Sequence, residues 1–184
     1  GLQVRGFDSQ GQPIGTASDS INITYTGPVA EPGDHLVINE VMYHPATPEA
    51  EFVELHNTST THTFDLSGYR LDGVDFDFAP GTIISPGGFL VVARNQIAFA
   101  EAYGTGIPIA GVYNGTLQAE GERLRLLQVG EGAPDEVITE VAYSNLPPWP
   151  VAADGEGPSL QLIDPAQDND RAGNWGAAEG ISEP

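Results

Sequence analysis

The chain has 184 residues, of which 26 are acidic and only six basic, all six of them arginine, so its formal net charge is −20. Such a surface has almost nothing to set against phosphate, which argues against nucleic acid and anionic membranes as partners. There is no cysteine, which excludes a disulfide framework, a thiolate metal site and a thiol nucleophile.

Glycine (23) and proline (15) punctuate the chain at short intervals, favouring many short strands over helices. Residues 2–26 predict a hairpin: Leu2–Phe7 alternates, DSQGQ (8–12) is turn chemistry, and Ile21–Thr26 alternates again. A lone hairpin is unstable, so 1–27 is expected to be the end of a preceding β-sandwich domain, with a linker at 28–35. A main domain is expected over 36–178 and a tail over 179–184. The hairpin is expected to pack on the sandwich or to pair with another copy.

Leu36–Tyr43 predicts a strand, HPATPEA (44–50) a loop, and Glu51–Asn57 a strand with Val53 and Leu55 on one face and Phe52, Glu54 and His56 on the other. In DLSGYRLDG (65–73), Asp65 and Ser67 can bind backbone amides and Gly68 can take positive φ. Two short strands are expected within 76–94, around the SPGG turn at 85–88. One short helix is expected near 95–103, capped by Asn95 and closed by Gly104, with Ile97, Phe99, Ala100 and Tyr103 as its apolar face. Strands follow near 109–113, 123–128, 136–143 and 158–163. The pattern predicts an all-β sandwich or barrel.

Several segments, in order, resemble the lamin tail domain: LVINEVMYHP, EFVELHN, DLSGYRLDG, FAPGTIISPGGFLVVARN, GERLRL, PPWP, ADGEGPSLQLID and NW, over roughly 36–178. The resemblance implies an immunoglobulin-like β-sandwich with no active site to carry over. It also implies a place inside a larger secreted or cell-surface bacterial protein. Glu140, where relatives place aspartate, and Ala119-Glu120, where asparagine is common, depart from the family pattern. The chromatin binding of nuclear members does not fit the charge of this chain.

Residues 44–57 hold two histidines and three glutamates, the alphabet of a zinc site. A catalytic zinc needs three converging ligands and an open position. His44, Glu51, Glu54 and His56 lack the helical HExxH spacing, and a polar sheet face explains them as well. Glu40, among Ile38, Val41 and Met42, is expected to be a structural acceptor fed by backbone amides or by Arg70, Arg123 or Arg125. Were Glu40 and Glu54 neighbours across strands, their pKa values would split or a cation would bridge them.

Asp164, Asp168 and Asp170, with Asn169, carry the oxygen chemistry of a calcium loop, although turns and caps explain them too. Trp149 in PPWP and Trp175 in NW could stack on sugars if exposed, or anchor a core if buried. No nucleophile–base set or phosphate-cradling loop stands out, so no enzyme and no cofactor are expected, calcium apart. The expected function is structural or protein-interacting, with a protein or extracellular-matrix component as partner and no membrane insertion. The alternative is a calcium-stabilised carbohydrate-binding module.

Overall fold

Period-two alternation builds most of this chain. The computed structural model describes residues 2–4, 7–12, 14, 19–21, 29–130 and 132–178. Fourteen strands and one α-helix follow in order: β1 (Leu2–Val4), β2 (Asp19–Ile21), β3 (Leu36–Met42), β4 (Phe52–Asn57), β5 (Phe64–Asp65), β6 (Tyr69–Asp72), β7 (Phe76–Asp77), β8 (Ile83–Ile84), β9 (Phe89–Ala93), α1 (Gln96–Tyr103), β10 (Ile109–Val112), β11 (Arg123–Gln128), β12 (Glu136–Ala142), β13 (Ser159–Leu162) and β14 (Trp175–Ala178). A six-stranded sheet runs β10-β9-β4-β3-β13-β14 and a four-stranded sheet β12-β11-β6-β7. β5 and β8 form a small separate pair.

The two larger sheets enclose one apolar core. Ile38, Val41, Val53, Leu55, Val92 and Leu160 from the first meet Leu71, Leu124, Leu126 and Val141 from the second. Each such side chain contributes roughly 1.5–3 kcal/mol by leaving water. The opposite face of the six-stranded sheet is also covered: Met42, Phe52, Val91 and Ala93 form a second cluster with Phe99 of α1. The ring of Phe52 meets Phe99 at 5.5 Å and Tyr103 at 5.2 Å, both edge-on.

The helix begins as expected, with the Asn95 side chain accepting from the amides of Ile97 and Ala98. Its expected apolar face needs correction, because Ile97 is exposed while Ala98 and Phe99 are buried. At 3.6 residues per turn, positions 97 and 99 lie about 200° apart and cannot share a face. In SPGG, Gly87 takes φ 66° and the Gly88 amide bonds Ser85 O at 2.9 Å, as the turn demands. Asp65 accepts from the Ser67 amide at 2.9 Å, and Gly68 takes φ 79°.

Residues 76–94 hold three short strands, not the expected two, and β10 runs parallel to β9. β14 falls where the sequence carries no strand signal. In the N-terminal hairpin, Leu2 pairs with Ile21 and Val4 with Asp19, so β2 starts before the expected Ile21. Residues 22–26 of the expected second strand, and the side chains that would report how the hairpin packs, lie outside the described residues.

Candidate functional site: a buried carboxylate pair

The site begins with one irregularity in β3. Ile38 pairs with Leu55 and Glu40 with Glu54, so Asn39 is an extra residue between two regular pairs. A bulge of this kind shifts alternation by one. It takes Glu40 off the face of Ile38, where strict alternation put it, and returns Val41 to the core. Glu40 instead stands opposite Glu54 on the helix-covered side, with the two carboxylates 0% and 1% exposed.

Each carboxylate accepts from an uncharged donor. Ser159 Oγ, from β13, donates to Glu40 Oε1 at 2.6 Å, and Asn39 Nδ2 donates to Glu54 Oε1 at 2.8 Å. Glu54 Oε2 is buried and has no hydrogen-bond partner. Burial first, and the nearby Glu40 charge second, push the Glu54 pKa up to about 8 against the pull of the Asn39 bond. Burial and the same Glu40 charge push Tyr103, on α1, up to about 12.

The arginines expected near Glu40 are engaged elsewhere: Arg70 with Asp77 at 2.7 Å, Arg123 with Glu140 at 2.8 Å and Arg125 with Asp72 at 2.6 Å. All three sit in the four-stranded sheet, on β6 and β11, while Glu40 and Glu54 belong to the other. Glu54 does share a face with His56, as alternation requires, but that face is covered rather than solvated.

The histidines and glutamates of residues 44–57 disperse. His44 Nδ1 lies 2.7 Å from Asp154 Oδ1, and the bonds from His44 and Asn145 hold Asp154 below the usual carboxylate range. Glu51 accepts from Arg94 Nη1 at 2.6 Å and from the Leu117 amide. His56 stacks on Phe89 with centroids 4.2 Å apart, and burial lowers its pKa. Among the described residues no three His, Cys, Asp or Glu side chains are placed to hold a metal.

A family model for the lamin tail domain matches residues 30–145, more than half of the sequence. The chain belongs to the lamin tail domain family. Its fold is accordingly the immunoglobulin-like sandwich of that family, with a single short α-helix among the described residues. No curated protein and no solved structure matches. The match takes in β3, β4 and both carboxylates of this lamin tail domain, while Ser159, the donor to Glu40, lies beyond it on β13.

The remaining polar residues of the lamin tail domain are engaged in its own loops. Asp164 accepts from the Ala166 amide and from Gln167 Nε2, which hold its pKa low, the Gln167 bond most. Asp168 accepts from the Asp170 amide and Asp170 from the Ala142 amide on β12. Asn169 is buried and donates to Ile38 O and Thr139 Oγ1. These are the bonds of turns and caps, which use the same oxygens that a calcium ion would need. Trp149 and Trp175 are buried, 6.1 Å apart, and Trp175 Nε1 donates to Asn169 O at 2.7 Å. Both are core anchors, not exposed platforms.

Two buried polar anchors escaped the sequence reading. Asn57 is completely buried, and its Nδ2 donates to His62 O, Ile84 O and Ser85 O, tying β4 to β8 and the SPGG turn. Ser159 lies 119 positions from its acceptor, Glu40. An asparagine ending a strand is a faint signal for the first; no local pattern carries the second.

Proposed function

We propose that this lamin tail domain is a non-catalytic interaction module of a larger secreted or cell-surface protein, which takes an extended segment of a protein or matrix component onto the edge strand β14. The observation that carries this reading is the contrast among the sheet edges. At β12, the Ala142 amide is held by Asp170, Gly33 packs near Ile138 O, and Glu136 and Glu140 add charge. At β10, Gly111 is so close to the Phe76 ring that a Cβ there would come within 2.6 Å. β14 carries no charge, its last three residues are Gly176, Ala177 and Ala178, and no strand pairs with its outer side among the described residues. Exposed Ile163 borders it. Unguarded edges of this kind are templates for strand addition.

The non-catalytic part rests on enclosure: the carboxylates with the most perturbed environment cannot touch a substrate. The extracellular part rests on composition, an acidic, lysine-free surface that remains soluble in salt- and calcium-rich media. With both tryptophans buried, no specific observation favours the carbohydrate-binding alternative.

Pairing geometry supplies the test. The Ile163 amide bonds Asn174 O, so alternation along the antiparallel pair turns the N–H of Ala177 outward. Ala177→Pro removes that donor at an edge where proline is tolerated. Extracellular proteins and matrix fragments are screened for binding, and hydrogen exchange maps the footprint. The reading predicts slowed exchange at Ala177, and loss of binding in Ala177→Pro with the fold intact. Ligands that protect only other surfaces, or that bind Ala177→Pro unchanged, contradict it.

A further inference from the structure

We infer that Glu54 is held as a neutral carboxylic acid at neutral pH, and that loss of its proton opens the outer face of the six-stranded sheet beneath α1. The Glu40–Glu54 pair is thus an alkaline-sensitive latch built into the fold.

The geometry carries this. Residues directly opposite across antiparallel strands place their Cβ atoms about 4.5–5.5 Å apart. Two carboxylates so placed and withdrawn from water cannot both ionise without a large cost. The contacts of Glu54 fit the neutral form. Oε1 accepts from Asn39 as a carbonyl would, and Oε2 is the buried oxygen without a partner, the natural seat of the proton. An ionised Glu54 would leave half of a full charge on that oxygen.

Among the described residues, the elements around Glu54 bring no cation to offset that charge. On β3, the facing ionisable group is Glu40, of the same sign. The neighbouring β9 is Phe89–Ala93, without an ionisable residue, and β13 brings Ser159 and Gln161, neither of which ionises. From α1, Tyr103 is pushed up to about 12 and stays neutral throughout the range concerned. Along β4 itself, His56 is lowered by burial and is also neutral there. The Arg94 guanidinium, just past β9, is bound to Glu51.

The direction of the pH effect follows from linkage. The Glu54 pKa is raised in the folded state to about 8 from an ordinary 4.5. The proton therefore stabilises the fold in full below about pH 4.5, and this contribution is lost progressively as pH rises to about 8. Above that, it is gone and the profile is level. With Glu54 ionised, water must reach its carboxylate, and the strand lies beside Phe52, the residue on which α1 packs.

The test is amide exchange of the full chain, corrected for intrinsic rates, from mildly acidic to alkaline pH, in the wild type and Glu54→Gln. The amide variant imitates the protonated acid and cannot ionise. The expected result is a loss of protection of tenfold or more in β4 and α1 of the wild type as pH rises from about 6 to about 8, levelling off above, no such loss in Glu54→Gln, and steady protection in β6 and β11. Equal loss in both proteins, or none in the wild type, overturns the latch. Should Glu54→Gln not fold, the wild type alone decides by infrared spectroscopy. A protonated-carboxyl band present at pH 7 and lost through about pH 8 supports the proposal, and its absence at pH 7 overturns it.

Discussion

The two faces of the six-stranded sheet are built from the same strands but bury different chemistry. On the sandwich side, Ile38, Val41, Val53 and Leu55 meet apolar side chains of the other sheet, and the cluster they form includes no carboxylate. On the helix side, Phe52 and Met42 lie in line with Glu54 and Glu40, so an apolar layer and a carboxylate pair share one surface. One bulge at Asn39 separates the two outcomes, because without it Glu40 would face the sandwich. The helix-covered face takes two carboxylates by supplying Asn39 and Ser159 as donors.

Glu51, just before β4, and Glu54, within it, repeat the contrast on a smaller scale. Glu51 is neutralised by Arg94 at 2.6 Å; Glu54 is answered by an amide on one oxygen and by nothing on the other. One buried carboxylate is paired with a guanidinium, while the other has only a neutral donor and burial raises its pKa.

Removing an anchor from each face tests whether the helix side is a true second core. Leu55→Ala should cost about 2–5 kcal/mol and Phe52→Ala about 3–5 kcal/mol in denaturant unfolding. A cost below about 1 kcal/mol for Phe52→Ala would mean that α1 merely rests on the sheet. Next in size, Arg94→Ala leaves Glu51 buried with only the Leu117 amide. It should destabilise by about 2 kcal/mol, and by less in the Glu51→Gln background, where no charge is left unpaired. A loss that does not shrink in that background would place the arginine's contribution in packing instead. The smallest effect is Asn95→Ala, which removes the cap of α1 and should cost about 1 kcal/mol. Its exchange signature should appear in α1 and spare β11; uniform loosening would break the distinction between the faces.

Much of this was legible beforehand, and the exceptions have physical causes. Alternation in Phe52–Asn57 sorts Val53 and Leu55 from Phe52, Glu54 and His56 because a strand has a period of two. Asn95, Gly87 and Gly68 announce their cap and turns because each supplies a local need that few residues meet. The bulge at Asn39 is invisible because an inserted residue alters register without altering composition. That one slip separates the expected setting of Glu40 from the real one. β14 was missed because its glycine and alanines carry no strand preference, and only pairing with β13 makes it one. Ser159 and Glu40 meet through topology, which no local pattern reports.

The most direct measurement of the central contrast is the carboxyl carbon chemical shift of Glu54, followed by NMR through a pH titration of the wild-type chain. The account predicts the neutral-acid shift at pH 6, with a midpoint near pH 8 that β4 and α1 amides follow while β11 stays silent. A Glu54 that has already ionised by pH 5, as an ordinary carboxylate would, contradicts it.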